Sequence, residues 1–236
     1  MPDKSLNSSL LTDTFRQACT DYFYLVNHHY PERSVLKLVG DRYLLSGDQR
    51  TVLYRGISSE KRSLLRNSLL QAKIAGTYLI IDGYNVLFNL LNYRLGKITF
   101  VSTDGIVRDA GALHGRFREE HTFTDCIELL LIQVAAMKPA TVDIYLDSPV
   151  SHSERHATAI SDRMHELNLT GGCYVVKSAD WVLKNCKDCV IATSDTAIIE
   201  KALLPVVDLP AVVLERAYGA GFLQLGKLIS GGTSLR

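Results

Sequence analysis

The chain lacks any long apolar run: its most hydrophobic stretch, Leu129–Met137, is far shorter than the ~20 residues that cross a bilayer. Its opening, MPDKSLNSSLL, has no basic segment followed by an apolar one, which predicts that no secretory leader is present. Internal repeats and low-complexity tracts are absent too, excluding solenoids and long compositional linkers. Cysteine is scarce and odd in number, at Cys19, Cys126, Cys173, Cys186 and Cys189, which excludes a secreted disulfide framework. No Gly-x-Ser-x-Gly elbow marks a serine hydrolase, and His152 beside Ser151 and Ser153 is mere adjacency. These absences predict a soluble, cytoplasmic protein with no membrane contact and reduced thiols.

What is present is an ordinary globular composition, 47% hydrophobic and 22% charged over 236 residues, enough to bury a core. The net charge of +1 conceals an asymmetry. Residues 1–76 hold 11 Lys/Arg against 7 Asp/Glu, whereas residues 77–236 hold 15 against 18. A basic front and an acidic back suit a polyanion gripped by one part and processed by the other. Two unremarkable domains with different surfaces would give the same count.

The patterning divides at the same place. Leu10, Leu11, Phe15, Ala18, Tyr22 and Leu25 recur at helical steps, Pro31 opens a second helix, and Ser46 is placed to cap a third. Residues 61–75 read as a fourth helix with Leu64, Leu65, Leu69 and Leu70 inward, ended by Gly76. After Gly76 short β-rich runs alternate with helical patterns, as in βαβ units. Strands are predicted at 77–81, 142–146, 173–176, 190–192 and 212–214, with a further one at 97–101. Helices are predicted at 84–91, 122–138, 153–167 and 196–203. The expected architecture is therefore α/β: a small all-helical N-terminal domain over residues 1–76, then a parallel sheet flanked by helices over 77–236.

Three of these strands end in aspartate: Asp82, Asp147 and Asp195, the last just beyond its strand. In an open parallel sheet, the carboxyl ends of the strands face one crevice, where ligands bind. Carboxylates converging there repel one another, and a hard divalent cation, Mg²⁺ or Mn²⁺, relieves that repulsion. The competing readings are structural, since Asp195 is well placed to cap a helix and Asp82-Gly83 and Asp147-Ser148-Pro149 are good turns. A second dense segment, Ser102 to Gly115, packs Asp104, Arg108, Asp109 and His114 among glycines in a predicted loop whose composition suits function on a rigid scaffold, although Asp104-Gly105 is also an ordinary turn. Cys186-x-x-Cys189 would need a second pair or nearby histidines to bind zinc; otherwise these are ordinary thiols.

Ile81-Asp82-Gly83-Tyr84-Asn85-Val86 resembles the opening strand and turn of PIN-like and NYN nuclease domains, and Ala192-Thr193-Ser194-Asp195 resembles their late acid. The whole chain is similar to a prokaryotic family that fuses a helical domain of unknown function to a PIN-like domain. Tyr30-Pro31, Leu38 to Tyr43 and Gln49-Arg50 carry that likeness in front; Asp104 to Asp109 and Asp147 to Ser151 carry it behind. The resemblance implies a metal-dependent ribonuclease. Asp82, Asp147 and Asp195 would hold Mg²⁺ or Mn²⁺, with Asp104 or Asp109 completing the set. Asn85 would position the site, and Arg108 would neutralise the scissile phosphate. Such domains place one acid on the helix after the first strand, whereas Asp104 and Asp109 stand in a glycine-containing loop.

RNA is the expected partner, held by Arg42, Arg50, Arg55, Lys61, Arg62 and Arg66, which could equally form a solvated helix face. Dimerisation follows only by analogy with PIN-like domains. The alternative function is a non-catalytic RNA-binding module that kept the fold. A haloacid-dehalogenase phosphatase would need a second aspartate where Tyr84 stands.

Overall fold

The computed structural model describes residues 10–71, 73–111 and 120–229; His114 and Gly115 of the glycine-containing segment lie outside them. The elements, in order, are helices α1 (Asp13–Asn27), α2 (Glu32–Arg42), α3 (Gly47–Gly56) and α4 (Glu60–Leu69), strand β1 (Tyr78–Asp82) and helix α5 (Gly83–Arg94). Strands β2 (Thr99–Val101) and β3 (Val107–Asp109) follow, then α6 (Glu120–Met137), β4 (Thr141–Asp147), α7 (Ser153–Glu166), β5 (Gly171–Val176) and α8 (Ala179–Asn185). The last are β6 (Val190–Ala192), α9 (Thr196–Ala202), α10 (Leu209–Tyr218), β7 (Leu223–Gln224) and α11 (Leu225–Ile229). Among the described residues, no helix is long and apolar enough to cross a membrane.

The chain divides into two compact units. The first comprises Met1–Ser68, Asn92–Ala112 and Ala220–Arg236; the second comprises Leu69–Leu91 and Leu113–Gly219. The sequence predicts a division after residue 76 with helices in front; the front unit holds those N-terminal helices and also takes in β2, β3 and β7. Phe100, Leu223, Leu225 and Leu228 share one core with Phe15, Tyr22, Val39, Val52 and Leu53, so the front unit recruits two later segments. Each large apolar side chain so buried contributes about 1.5–3 kcal/mol.

Within the first unit, Thr12 caps α1, and Ser46, the cap the sequence suggested, forms a reciprocal capping box with Gln49 on α3. Gly56 ends α3 against β2: an added Cβ would stand 2.7 Å from Phe100 Cε2. Strand β2 pairs antiparallel with β3 and parallel with β7. Helix α4 turns in a direction the periodicity did not foresee. Leu64 is 64% exposed, Leu65 also faces solvent, and the buried positions are Ser63 and Arg66. The cause is polar pairing with the β2–β3 turn, where the Ser63 and Thr103 hydroxyls lie 2.8 Å apart and Asn67 Nδ2 donates to the Asp104 carbonyl. Gly76 does not end this helix; it takes φ +73° in a turn seven residues beyond Leu69.

The second unit is built on a four-stranded parallel sheet in the order β5-β4-β1-β6. Leu79, Ile80 and Ile81 of β1 and Val190, Ile191 and Ala192 of β6 are all buried, the unbroken apolar pattern of strands covered on both faces. Helix α6 contributes Phe123, Leu130, Leu131 and Val134 to this core. Gly83 lets α5 start directly against β4, since a Cβ there would meet the Tyr145 carbonyl at 2.9 Å. The run at 212–214, expected as a strand, lies inside α10. Asp208 accepts a hydrogen bond from Ala211 N and Pro210 occupies the first turn, and these starting signals outweigh the β-branched pair Val212-Val213.

Candidate functional site

The strand order places β1 between β4 and β6, while the chain leaves β1 towards β4 and later returns to β6. The crevice at the carboxyl ends of β1 and β6 is therefore the topological switch point. Asp82 ends β1 there and is only 4% exposed. Thr193 Oγ1, just past β6, donates to Asp82 Oδ2 at 2.8 Å. Asp82 Oδ1 has no hydrogen-bond partner among the described residues. Burial pushes the Asp82 carboxyl up to about 7; Thr193 opposes the rise, and the charges of Asp147, Asp180 and Asp195 add to it. Four aspartates thus share one electrostatic neighbourhood.

Asn85 lies in the first turn of α5, and its Oδ1 accepts from Ser194 N at 2.8 Å and from Ser194 Oγ at 2.9 Å. One turn on, buried Asn89 donates to Asn85 O and to Ser194 Oγ, while its own Oδ1 has no partner among the described residues. These bonds fasten the start of α5 to the β6–α9 loop and fix the approach to Asp82. Asp195 caps α9, its Oδ1 accepting from Ala197 N and Ile198 N at 2.7 and 3.1 Å. Asp147 Oδ1 accepts from Ala179 N at 2.8 Å and so holds the start of α8. The capping role weighed from sequence for Asp195 is therefore real, and both Asp195 and Asp147 leave the second carboxylate oxygen without a bond among the described residues.

Helix α8 adds what the sequence singled out least. Asp180 pairs with Lys184 at 2.9 Å, and Asp195 and Asp82 reinforce the rise in the ammonium's proton affinity that Asp180 begins. Ser178 caps this helix, accepting from Trp181 N. Trp181 is 68% exposed. Asn89 was missed altogether, and Thr193 and Ser194 were quoted only beside the late acid, with no role of their own; a Thr-Ser pair following a buried strand, and an Asn one turn after Asn85, were the signals available.

Asp104, Arg108 and Asp109 belong to the first unit. Asp104 is 1% exposed and receives Arg108 through both guanidinium nitrogens, at 2.8 and 3.0 Å. Arg66 Nε adds a third charged contact at 2.8 Å, and Ser102 Oγ and Ile106 N complete the shell. Burial alone would raise this carboxyl; the two guanidiniums outweigh it and hold Asp104 below the usual carboxylate range. The cation expected at Asp104 is thus replaced by two arginines, and Arg108 is spent on Asp104. Asp109 Oδ1 accepts from Gly111 N at 2.7 Å and Asn92 Nδ2 at 2.8 Å, with Arg55 at 3.5 Å. Burial raises its carboxyl, which Arg55 only partly offsets.

Of the basic set assigned to RNA, Arg66 is fully buried and cannot reach a strand. Arg50 pairs with Asp41 at 2.9 Å and Arg62 with Glu32 at 2.5 Å. Arg42 and Lys61 are exposed. A cavity of about 550 Å³ between α6 and α7 is lined by Glu120, Glu128, Arg155, His156 and Arg163 and by none of the strand-end aspartates. Its charges pair with one another, Arg155 with Glu120 and Arg163 with Glu128.

Whether the strand-end group suits a divalent cation turns on its donors. All are carboxylate oxygens, several with a free oxygen, which is the chemistry Mg²⁺ or Mn²⁺ takes. Among the described residues, however, no three His, Cys, Asp or Glu side chains stand close enough to hold one ion. The donor set fits in kind, and closing it requires side chains to turn inward.

Residues 71–212 match a family model described as a domain of unknown function, DUF5616, and residues 14–68 match a protein of unknown function, DUF434. An uncharacterised protein of Methanocaldococcus jannaschii, MJ0935, is 32% identical over 205 residues, covering 86% of this chain and 97% of that protein. No solved structure matches.

Proposed function

The chain belongs to the DUF5616 family, and we propose that it is a metal-dependent phosphodiesterase that cleaves RNA on a PIN-like fold. The observation that carries this reading is buried Asp82, raised to about 7 at the switch point of a parallel sheet, with three further aspartates bearing on it. A carboxyl kept at that cost with one oxygen unbonded is a group awaiting a cation. Asp82, Asp147 and Asp195 would hold Mg²⁺ or Mn²⁺, with Asp180 in place of Asp104. A bound ion supplies a water of lowered pKa and positive charge beside the leaving oxygen. Asn85, fixed by Ser194, orients the first turn of α5 over Asp82, and Thr193 keeps the Asp82 carboxylate from rotating. Lys184, which already pairs with Asp180 beside Asp82 and Asp195, would meet the scissile phosphate in the role first given to Arg108.

A second reading, an RNA-binding module without chemistry, draws support from Lys184, whose ammonium already offsets part of the acidic charge. The two separate in one assay on mixed single-stranded and structured RNA, with Mn²⁺ or with EDTA. Cleavage that needs Mn²⁺ and disappears in Asp82→Asn is the expected result. Equal, salt-sensitive binding by both proteins with every RNA left intact would hand the function to the binding module.

A further inference from the structure

Cys186 stands at the C-terminal cap of α8, and Cys189 immediately precedes β6. Their Sγ atoms lie 3.2 Å apart, the Cys189 thiol donating to Cys186, while Cys186 donates to the Leu183 carbonyl at 3.1 Å. The two-residue connection turns at Asp188, whose φ of +53° brings the thiols to the same side. Cys189 is buried and Cys186 half-buried, so a reagent from solvent meets Cys186 first. The remaining thiols differ: Cys19 and Cys126 are buried, and burial pushes Cys19 and Cys173 up to about 12. None of the five cysteines is in a disulfide.

From this geometry we propose that Cys186 and Cys189 are a reversible redox site, closed to a disulfide by a low-molecular-weight disulfide such as oxidised glutathione. The Cys186 thiolate attacks one sulfur of that reagent, forming a mixed disulfide and releasing the first thiolate. Cys189 then loses its proton to solvent and attacks Cys186 Sγ, releasing the second. The pair gives up two electrons and two protons, and one reagent disulfide becomes two thiols. The hydrogen bond from Cys189 lowers the Cys186 thiol below its ordinary range, which favours Cys186 as the attacking group. Zinc is the other use of such a pair, but it takes four ligands, and no third ligand joins this pair among the described residues.

The bond would tie the end of α8 to the start of β6. Helix α8 carries Asp180, Trp181 and Lys184, and β6 leads into Thr193, Ser194 and Asp195, so closure would clamp two elements that meet at the acidic crevice. The redox site does not depend on the phosphodiesterase reading.

The test treats the full reduced chain with excess oxidised glutathione in EDTA and digests it without reductant. Trypsin cuts after Lys184, Lys187 and Lys201, so the disulfide joins the peptide 185–187 to the peptide 188–201. The expected product is that cross-linked pair, from a protein lighter by two hydrogens and restored by dithiothreitol. Cys189→Ser should stop at a glutathione adduct on Cys186. A stable adduct on Cys186 in the unaltered chain, labelling spread evenly over the five cysteines, or no oxidation at all overturns the proposal. So does stoichiometric zinc, retained by protein purified without chelator, that shields the pair.

Discussion

The two units each bury aspartate, and they treat it in opposite ways. In the first, Asp104 lies between Arg108 and Arg66, and its carboxyl is held below the ordinary range. In the second, Asp82 is as deeply buried, has only a neutral Thr193 hydroxyl in direct contact, and is raised to about 7 among three other acids. Burial penalises both charges; only the first is repaid by partners in place. A fully compensated acid is part of the scaffold. An uncompensated one is what the proposed cation would relieve, and from sequence alone both aspartates were candidates for the metal set, Asp82 at its centre and Asp104 to complete it.

The largest effect that separates them should come from Asp104. Replacing it by Ala removes the buried carboxylate that Arg66 and Arg108 share, a loss of about 3–5 kcal/mol in urea unfolding. The fraction that remains folded should keep its metal response, because Asp104 has no free valence for an ion. An Asp104→Ala protein of native stability that fails to bind Mn²⁺ would return Asp104 to the metal set.

Asp82 should behave inversely, and its pH dependence carries the sign. Its folded value, about 7, lies above that of an unfolded aspartate, so between about pH 4 and 7 the native state binds more protons than the unfolded one. Stability from this group is complete below about pH 4, falls as pH rises through that window, and is flat above it. A rise of about three pH units corresponds to about 4 kcal/mol as an upper figure. In metal-free protein, Asp82→Asn should remove that decline and be the more stable form at pH 8. Adding Mn²⁺ should stabilise the unaltered chain and leave Asp82→Asn unmoved. Identical pH slopes for the two proteins would mean that Asp82 is already compensated.

Much of this was legible because it is local. The strands β1, β4, β5 and β6 and the helices between them follow from short apolar runs and 3.6-residue periods, and their carboxyl-terminal aspartates follow from parallel topology. What escaped was decided by partners distant in sequence. Leu64 and Leu65 were read as inward because apolar residues usually are, but Arg66 found Asp104 thirty-eight positions later and turned the helix. The front unit looked complete at residue 76 because nothing local announces that Phe100 and Leu225 pack with Phe15. Thr193, Ser194 and Asn89 are small polar residues whose hydrogen-bonding roles show only once the sheet brings β6 beside β1.

The smallest effect bears on substrate and sharpens the comparison from the side of the second unit. Trp181 is the only tryptophan in the chain, and it is mostly exposed on a helix whose start is pinned by Asp147 and Ser178. Exposed Lys177 and Lys187 flank it in sequence. Under the RNA reading, an indole held in solvent next to Asp180 would offer a stacking surface for a nucleobase, a contact worth about 1–3 kcal/mol per base. In the Asp82→Asn background, single-stranded RNA should quench the fluorescence of this one tryptophan. Trp181→Ala should weaken binding about tenfold, within that range, while duplex RNA, whose bases are already stacked, should show little change. Equal affinity with and without the indole would move the RNA-holding surface to Arg42 and Lys61 of the first unit, whose replacement should then reduce the salt dependence of binding by about one unit each. Uncompensated acid and exposed indole would in that case be separate features of the second unit, and the strain at Asp82 would have to be explained by the cation alone.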